Sequence, residues 1–178
     1  MKKIALLGYS GHAYVVADTI LNNQNIIVGY YDVKEASVNP YQIIYLGEEK
    51  NIKPTDSYAY FPAVGSNELR KTMVEFLEDN NLQTAIIIHP TAKLSNKCSI
   101  QPASFISGNA VINAMSSIGK GCIINTGAIV EHECSIGDFS HIAPGAVLAG
   151  NVTVIPPDEV SIAYLPALTA VKSESYTT

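Results

Sequence analysis

Ile118-Gly119-Lys120-Gly121-Cys122-Ile123-Ile124-Asn125-Thr126-Gly127-Ala128-Ile129-Val130 contains the pattern that decides the fold. Ile118, Ile124 and Val130 stand six apart, each preceded at two residues by a small side chain, Ser116, Cys122 and Ala128. The same phase runs outward in both directions through Leu94, Ile100, Ile106, Ile112, Ile136, Ile142, Leu148 and Val154 without a break. A period of six fits neither a 3.6-residue helix nor a heptad. It fits short strands joined by tight turns, each with one aliphatic side chain pointing inward, which is a β-solenoid.

The three cysteines, Cys98, Cys122 and Cys134, all stand two residues before an aliphatic position of the repeat. That placement predicts small spacers in the solenoid and not a disulfide or a metal set.

The first half reads differently. Ile4 to Leu7 is an apolar strand ended by Gly8-Tyr9-Ser10-Gly11-His12, and Ala13 to Leu21 follows as a helix. Ile26 to Tyr31 is a second strand ending at Asp32, and Ala59 to Val64 is a third. Gly65-Ser66-Asn67 leads into a helix from Glu68 to Glu78, and Ala85 to Ile88 is a last strand before His89-Pro90. Alternating strands and helices predict a small Rossmann-like parallel sheet with a ligand at the carboxyl ends of its strands. Backbone N–H groups of the glycine turn and the helix start suit phosphate oxygens. The turn carries Ser10 and Ala13 where the dinucleotide fingerprint needs glycine, so a nicotinamide-dependent enzyme is disfavoured.

With 47% apolar and 15% charged residues the chain is expected to build packed cores. A net charge of −5 and no basic stripe argue against a nucleic-acid partner. No apolar run reaches the length of a membrane span, and a cytoplasmic protein is expected.

Taken together, Gly8-Tyr9-Ser10-Gly11-His12, Val64-Gly65-Ser66-Asn67-Glu68-Leu69-Arg70 and the hexads resemble the sialic acid O-acetyltransferase and UDP-4-amino-sugar N-acetyltransferase family, of the bacillosamine-pathway type. Glu131-His132-Glu133-Cys134 and Gly137-Asp138-Phe139-Ser140-His141-Ile142 carry the resemblance further. It implies an α/β nucleotide-sugar-binding domain over 1–88 and a left-handed β-helix with three strands per coil over 89–155. A cap or tail would follow over 156–178, and the assembly would be a homotrimer.

The implied activity is transfer of an acetyl group from acetyl-CoA to an amine or hydroxyl of a UDP-amino-sugar or related nucleotide sugar, in surface glycan synthesis and with no metal. By the same resemblance His132 is the general base, Glu133 polarises it, and His141 and Gly150 contact the acetyl-CoA. Ser10, Gly11, His12, Asp32, Gly65, Asn67, Arg70 and Asn125 are the implied substrate-binding residues. An amine nucleophile must shed a proton before it attacks a thioester, and imidazole exchanges protons near neutral pH.

Members of the family continue for about two more coils after the position of Val154, where this chain has Ile155-Pro156-Pro157-Asp158-Glu159-Val160, similar to a closing segment. Ile162 to Val171 is then the expected cap. The alternative reading is a trimeric sugar-nucleotide-binding relative without a complete acetyl-CoA site.

Overall fold

The computed structural model describes residues 1–53 and 57–155, with the backbone of Glu159–Val160. Strand β1 (Lys3–Leu7) is buried on both faces from Ile4 onward, as its unbroken apolar run requires in a parallel sheet. Ile4 and Leu6 pack toward helix α1 (Gly11–Asn22), while Ala5 and Leu7 pack toward helix α2 (Asn67–Asp79). With β2 (Ile26–Tyr31), β3 (Tyr45–Gly47) and β4 (Ala59–Pro62) the sheet order is β3-β2-β1-β4, all parallel.

Helix α2 begins at Ser66, whose hydroxyl accepts from the Leu69 N–H at 3.3 Å. Such a cap contributes about 1 kcal/mol. Ser10 holds the same position before α1 but makes no capping bond.

Two expectations need correction here. The short edge strand β3 has no apolar alternation long enough to announce it. The strand expected over Ala85 to Ile88 is not part of this sheet: Thr84 makes a single bridge to Tyr60, and β5 (Ile87–Ile88) pairs with Phe105–Ile106 as the first rung of the solenoid. Ile88 stands six before Leu94 and so keeps the phase of the repeat, although the frame read from the sequence begins at Leu94.

From β5 the chain runs through two-residue strands every six residues: β6 (Lys93–Leu94), β7 (Ser99–Ile100), β8 (Phe105–Ile106), β9 (Val111–Ile112), β10 (Ser117–Ile118), β11 (Ile123–Ile124), β12 (Ile129–Val130), β13 (Ser135–Ile136), β14 (His141–Ile142), β15 (Val147–Leu148) and β16 (Thr153–Val154). They form three parallel sheets in which each residue pairs with the one eighteen further on, a left-handed parallel β-helix of triangular section. Glu159–Val160 extends the first face as β17, pairing with His141–Ile142, so the frame runs one strand past Val154 where a closing segment was expected. The cap expected over Ile162 to Val171 lies outside the described residues.

One aliphatic side chain per strand fills the prism, from Ile106 through Val154. The residue two before it closes the corner. Ser104 and Ser116 donate from Oγ to carbonyls fifteen residues on, Gly119 and Glu131, at 2.8 and 2.6 Å. Cys122 and Cys134 do the same from Sγ to Gly137 and Ala149, at 3.1 and 3.2 Å. The cysteines thus stand in for serines. Burial pushes the Cys122 thiol up to about 12, so it stays protonated as a donor.

Each corner also needs a left-handed backbone, and from Ala103 to Asn151 every sixth residue has positive φ. Glycine or asparagine fills Asn109, Gly121, Gly127, Gly145 and Asn151. Ala103, Met115, Glu133 and Phe139 adopt it at a cost of about 1 kcal/mol each.

Candidate active site

The outward-facing residues of the first face form a column: Ile87, Phe105, Ile123 and His141, each stacked on the next. Phe105 and Ile123 are fully buried because α1 lies over them, joining the core of the α/β domain to the solenoid. His141 continues the column, and Glu159 pairs with it on the next coil. His12 comes down from the first turn of α1 and meets Phe105 edge-on, with ring centroids 5.4 Å apart.

The side-chain Nε2 of His12 is buried without a hydrogen-bond partner. Burial first, then the nearby Arg70 and His141, lower its pKa to about 4, which makes it a neutral imidazole at physiological pH.

His141 is held by Asn125. The Asn125 carbonyl accepts from the Thr126 N–H at 2.8 Å, which turns its amide nitrogen toward His141 Nε2 at 3.0 Å. Nε2 is therefore the acceptor and Nδ1 carries the proton.

Above His12 is the glycine turn. Gly8 sits at φ +82°, and a Cβ there would fall 2.5 Å from Val64, so glycine is required on both counts. The Asp32 carboxylate receives the Tyr9 N–H at 2.9 Å and the Val33 N–H at 2.7 Å, which fixes the turn against the end of β2. Beyond it opens a cleft of about 410 Å³ lined by Tyr9, Ser10, Tyr14, Asp32 and residues 34–38. The uncapped N-terminus of α1, with Ser10 and Gly11 exposed, presents its free N–H groups beside it.

His132 and Glu133 stand elsewhere, on the corner between the second and third faces. Glu133 Oε2 lies 3.0 Å from His132 Nδ1. A carboxylate only accepts, so Nδ1–H donates to it and Nε2 is turned the other way, toward Gly150. Glu131 beside them is tied to Asn113 at 3.0 Å. Gly150 is directly over His132, one coil later: a Cβ on Gly150 would lie 2.5 Å from both Cε1 and Nε2.

The structure thus brings together Ser10, Gly11, His12, Asp32, Gly65, Asn125 and His141 around one edge, and His132, Glu133 and Gly150 around another. Gly65 belongs to the first group because a Cβ built on it would lie 3.9 Å from the Cβ of His12.

Arg70 does not serve as expected. It is 1% exposed, and its guanidinium spends Nε on the Gly121 carbonyl at 2.5 Å, Nη1 on Val64 and Gly65, and Nη2 on Phe139 at 2.8 Å and on Asn67 Oδ1 at 2.7 Å. It ties α2 to two coils of the solenoid, and Asn67 is its partner in that tie. A buried arginine looks the same in sequence as a ligand-binding one, which is why burial had to decide.

Sequence reading also missed Tyr9, Tyr14 and Tyr30. Their rings cluster, Tyr9 and Tyr30 stacked at 4.4 Å, and their hydroxyls fasten the loop after Asp32. No spacing in the sequence signals this. Among the described residues no group of three His, Cys, Asp or Glu is placed to hold a metal ion, and no helix is long and apolar enough to cross a membrane.

Residues 3–77 match the PglD N-terminal domain, and residues 115–150 match the bacterial transferase hexapeptide repeats. In both its halves the chain is similar to the hexapeptide-repeat sugar acyltransferases. Among the solved structures that this chain resembles is the acetyltransferase domain of PglB from Neisseria gonorrhoeae in complex with acetyl coenzyme A. The two are 28% identical over 91% of this chain and 80% of that one, with a TM-score of 0.81. PerB from Caulobacter crescentus, in complex with CoA and GDP-perosamine, is 27% identical over 86% of this chain and 74% of that one, with a TM-score of 0.76. A mutant of the perosamine N-acetyltransferase of the same organism matches at 26% identity over the same shares.

Proposed function

We propose that this protein transfers the acetyl group of acetyl-CoA to the amino group of a nucleotide-linked sugar. The observation that carries this is the His132–Glu133 pair, which turns Nδ1 to the carboxylate and Nε2 toward Gly150 on an exposed edge. The nucleotide sits in the cleft of the α/β domain, its phosphates toward the N–H groups at the start of α1. His132 Nε2 removes a proton from the sugar ammonium. The free amine attacks the thioester carbonyl, a C–N bond forms, the C–S bond breaks, and the CoA thiolate takes the proton released. His141, donating from Nδ1, and Gly150 line the path of the acetyl donor.

The two edges that carry these groups belong to different corners of the same prism, so one chain does not bring them to one point. A homotrimer that sets the His132 edge of one copy against the His141 edge of the next completes the site, and sedimentation would report it. The structural relatives that bind acetyl-CoA, or CoA with GDP-perosamine, support the choice of both substrates. A cytoplasmic enzyme of surface glycan synthesis is the setting this chemistry fits.

The test is calorimetric titration with acetyl-CoA and with UDP- and GDP-linked amino sugars, followed by an acetylation assay. Binding of both classes and turnover that His132→Ala lowers by roughly 10²- to 10⁴-fold without loss of binding supports the proposal. Binding of the nucleotide sugar alone makes the chain a sugar-nucleotide-binding relative instead.

A further inference from the structure

The cleft beyond Asp32 has a preformed wall. The loop that follows β2 is fastened at three points by the tyrosine cluster: the Ala36 N–H donates to Tyr30 Oη at 2.9 Å, Tyr14 Oη to the Val38 carbonyl at 3.2 Å, and Tyr9 Oη to Asn39 Oδ1 at 2.9 Å. Asn39 in turn grips both the N–H and the carbonyl of Ile43 at 2.9 and 2.8 Å. On the near side the Val33 N–H is held by Asp32. Lys34 and Glu35 therefore sit on backbone anchored immediately before and after them, with exposed side chains that line the cleft. Ser10 at the start of α1, Asp32 at the end of β2, and Lys34 and Glu35 all line the one cleft. In sheets of this kind the helix start takes the phosphates and the acidic residue ending the second strand takes the ribose.

We propose that the base read here is guanine, with its N1–H and exocyclic N2–H donated to the Glu35 carboxylate and its O6 facing the Lys34 ammonium. This rests on the nucleotide-sugar reading and departs from the uridine nucleotide that the family resemblance implies. A carboxylate accepts two parallel N–H bonds and donates none, and an ammonium only donates. Guanine offers that arrangement, two adjacent donors next to an acceptor. Uracil offers one N–H between two carbonyls, so one of its oxygens would face the carboxylate. Adenine presents an unprotonated N1 where guanine has N1–H, and it too would set a lone pair against Glu35.

Calorimetric titration of the full chain with GDP, UDP and ADP tests this. GDP is expected to bind at least roughly tenfold tighter than the other two, since a bidentate pair of this kind gives about 1–3 kcal/mol of discrimination. Glu35→Gln, which can no longer accept two N–H bonds, should weaken GDP by roughly tenfold or more and leave UDP unchanged. Lys34→Ala should weaken GDP by a smaller factor. Both positions are exposed, and circular dichroism would report whether each variant keeps the fold. UDP binding as tightly as GDP, or an unchanged GDP-to-UDP ratio in Glu35→Gln, overturns guanine recognition and leaves the nucleotide-sugar reading standing. Failure of all three nucleotides to bind overturns both.

Discussion

The imidazole of His132 occupies the space that a side chain on Gly150 would need, with Cε1 and Nε2 both 2.5 Å from where that Cβ would be. The two residues are eighteen apart, so the helix stacks them, and the absence of a side chain at one position creates the place for the other. Gly150→Ala should therefore push the His132 imidazole, the proposed base, out of line. A displacement near 1 Å costs on the order of 10²-fold in turnover. The measurement is kcat beside thermal stability: a large fall in kcat with an unchanged melting temperature is expected, and equal losses in both would mean that Gly150 is merely structural.

Glu133 combines two properties that can be separated. Its backbone is left-handed at φ +60°, and its carboxylate orients His132. Asparagine tolerates that backbone better than glutamate but cannot supply the charge. Glu133→Asn should unfold at the same or a higher temperature than the parent while kcat drops roughly tenfold or more, within the range of acid–base contributions. Unchanged turnover would remove Glu133 from the mechanism.

His12 predicts an acid sensitivity. Its pKa is lowered to about 4 in the folded chain, against about 6.5 unfolded, because protonation would put a charge in a buried site beside Arg70. The folded state therefore has this contribution in full above pH 6.5 and loses it as pH falls toward 4, to a limit of roughly 3 kcal/mol. Urea midpoints measured from pH 7 to pH 4.5 should fall less steeply for His12→Leu than for the parent. Parallel curves would show that His12 does not titrate in this range.

Arg70 joins the two domains through buried carbonyls. Arg70→Met removes every donor and strands the acceptors at Gly121, Phe139, Val64 and Gly65, with a cost of about 3 kcal/mol or more. Arg70→Lys should recover little of it, because one ammonium cannot reach carbonyls on two elements. Chemical denaturation measures this, and a lysine variant as stable as the parent would contradict the fork geometry.

Cys122→Ser should change stability by less than about 1 kcal/mol, since the hydroxyl of Ser104 already makes the equivalent bond at the coil below. Cys122→Val has the right size but no donor, and it leaves the Gly137 carbonyl with only its bonds from Ser140. A valine variant equal to the serine one in urea denaturation would show that the corner hydrogen bond contributes nothing.

The period of six determined the solenoid by itself, because each strand carries one inward aliphatic and the interior accepts nothing else. The frame, read from Leu94 to Val154, assigned the cysteines to corners by local repetition along the chain; Ile88 and Val160 keep its phase, but only pairing with the neighbouring coil placed their strands in the solenoid. The α/β domain was legible too in β1, β2, α1 and α2, whose apolar runs are long enough to leave a pattern. What the tertiary structure decided concerns contacts between residues far apart in sequence. Arg70 became an interdomain tie because Gly121 and Phe139 arrive beside it, and three tyrosines became fasteners because a loop folds back over them. His12 came to rest on Phe105, and Gly150 over His132, only once strands and coils were stacked. Periodicity records what each residue does for its own element. The partners that set burial, tautomer and charge come from other elements, and only the folded chain brings them within reach.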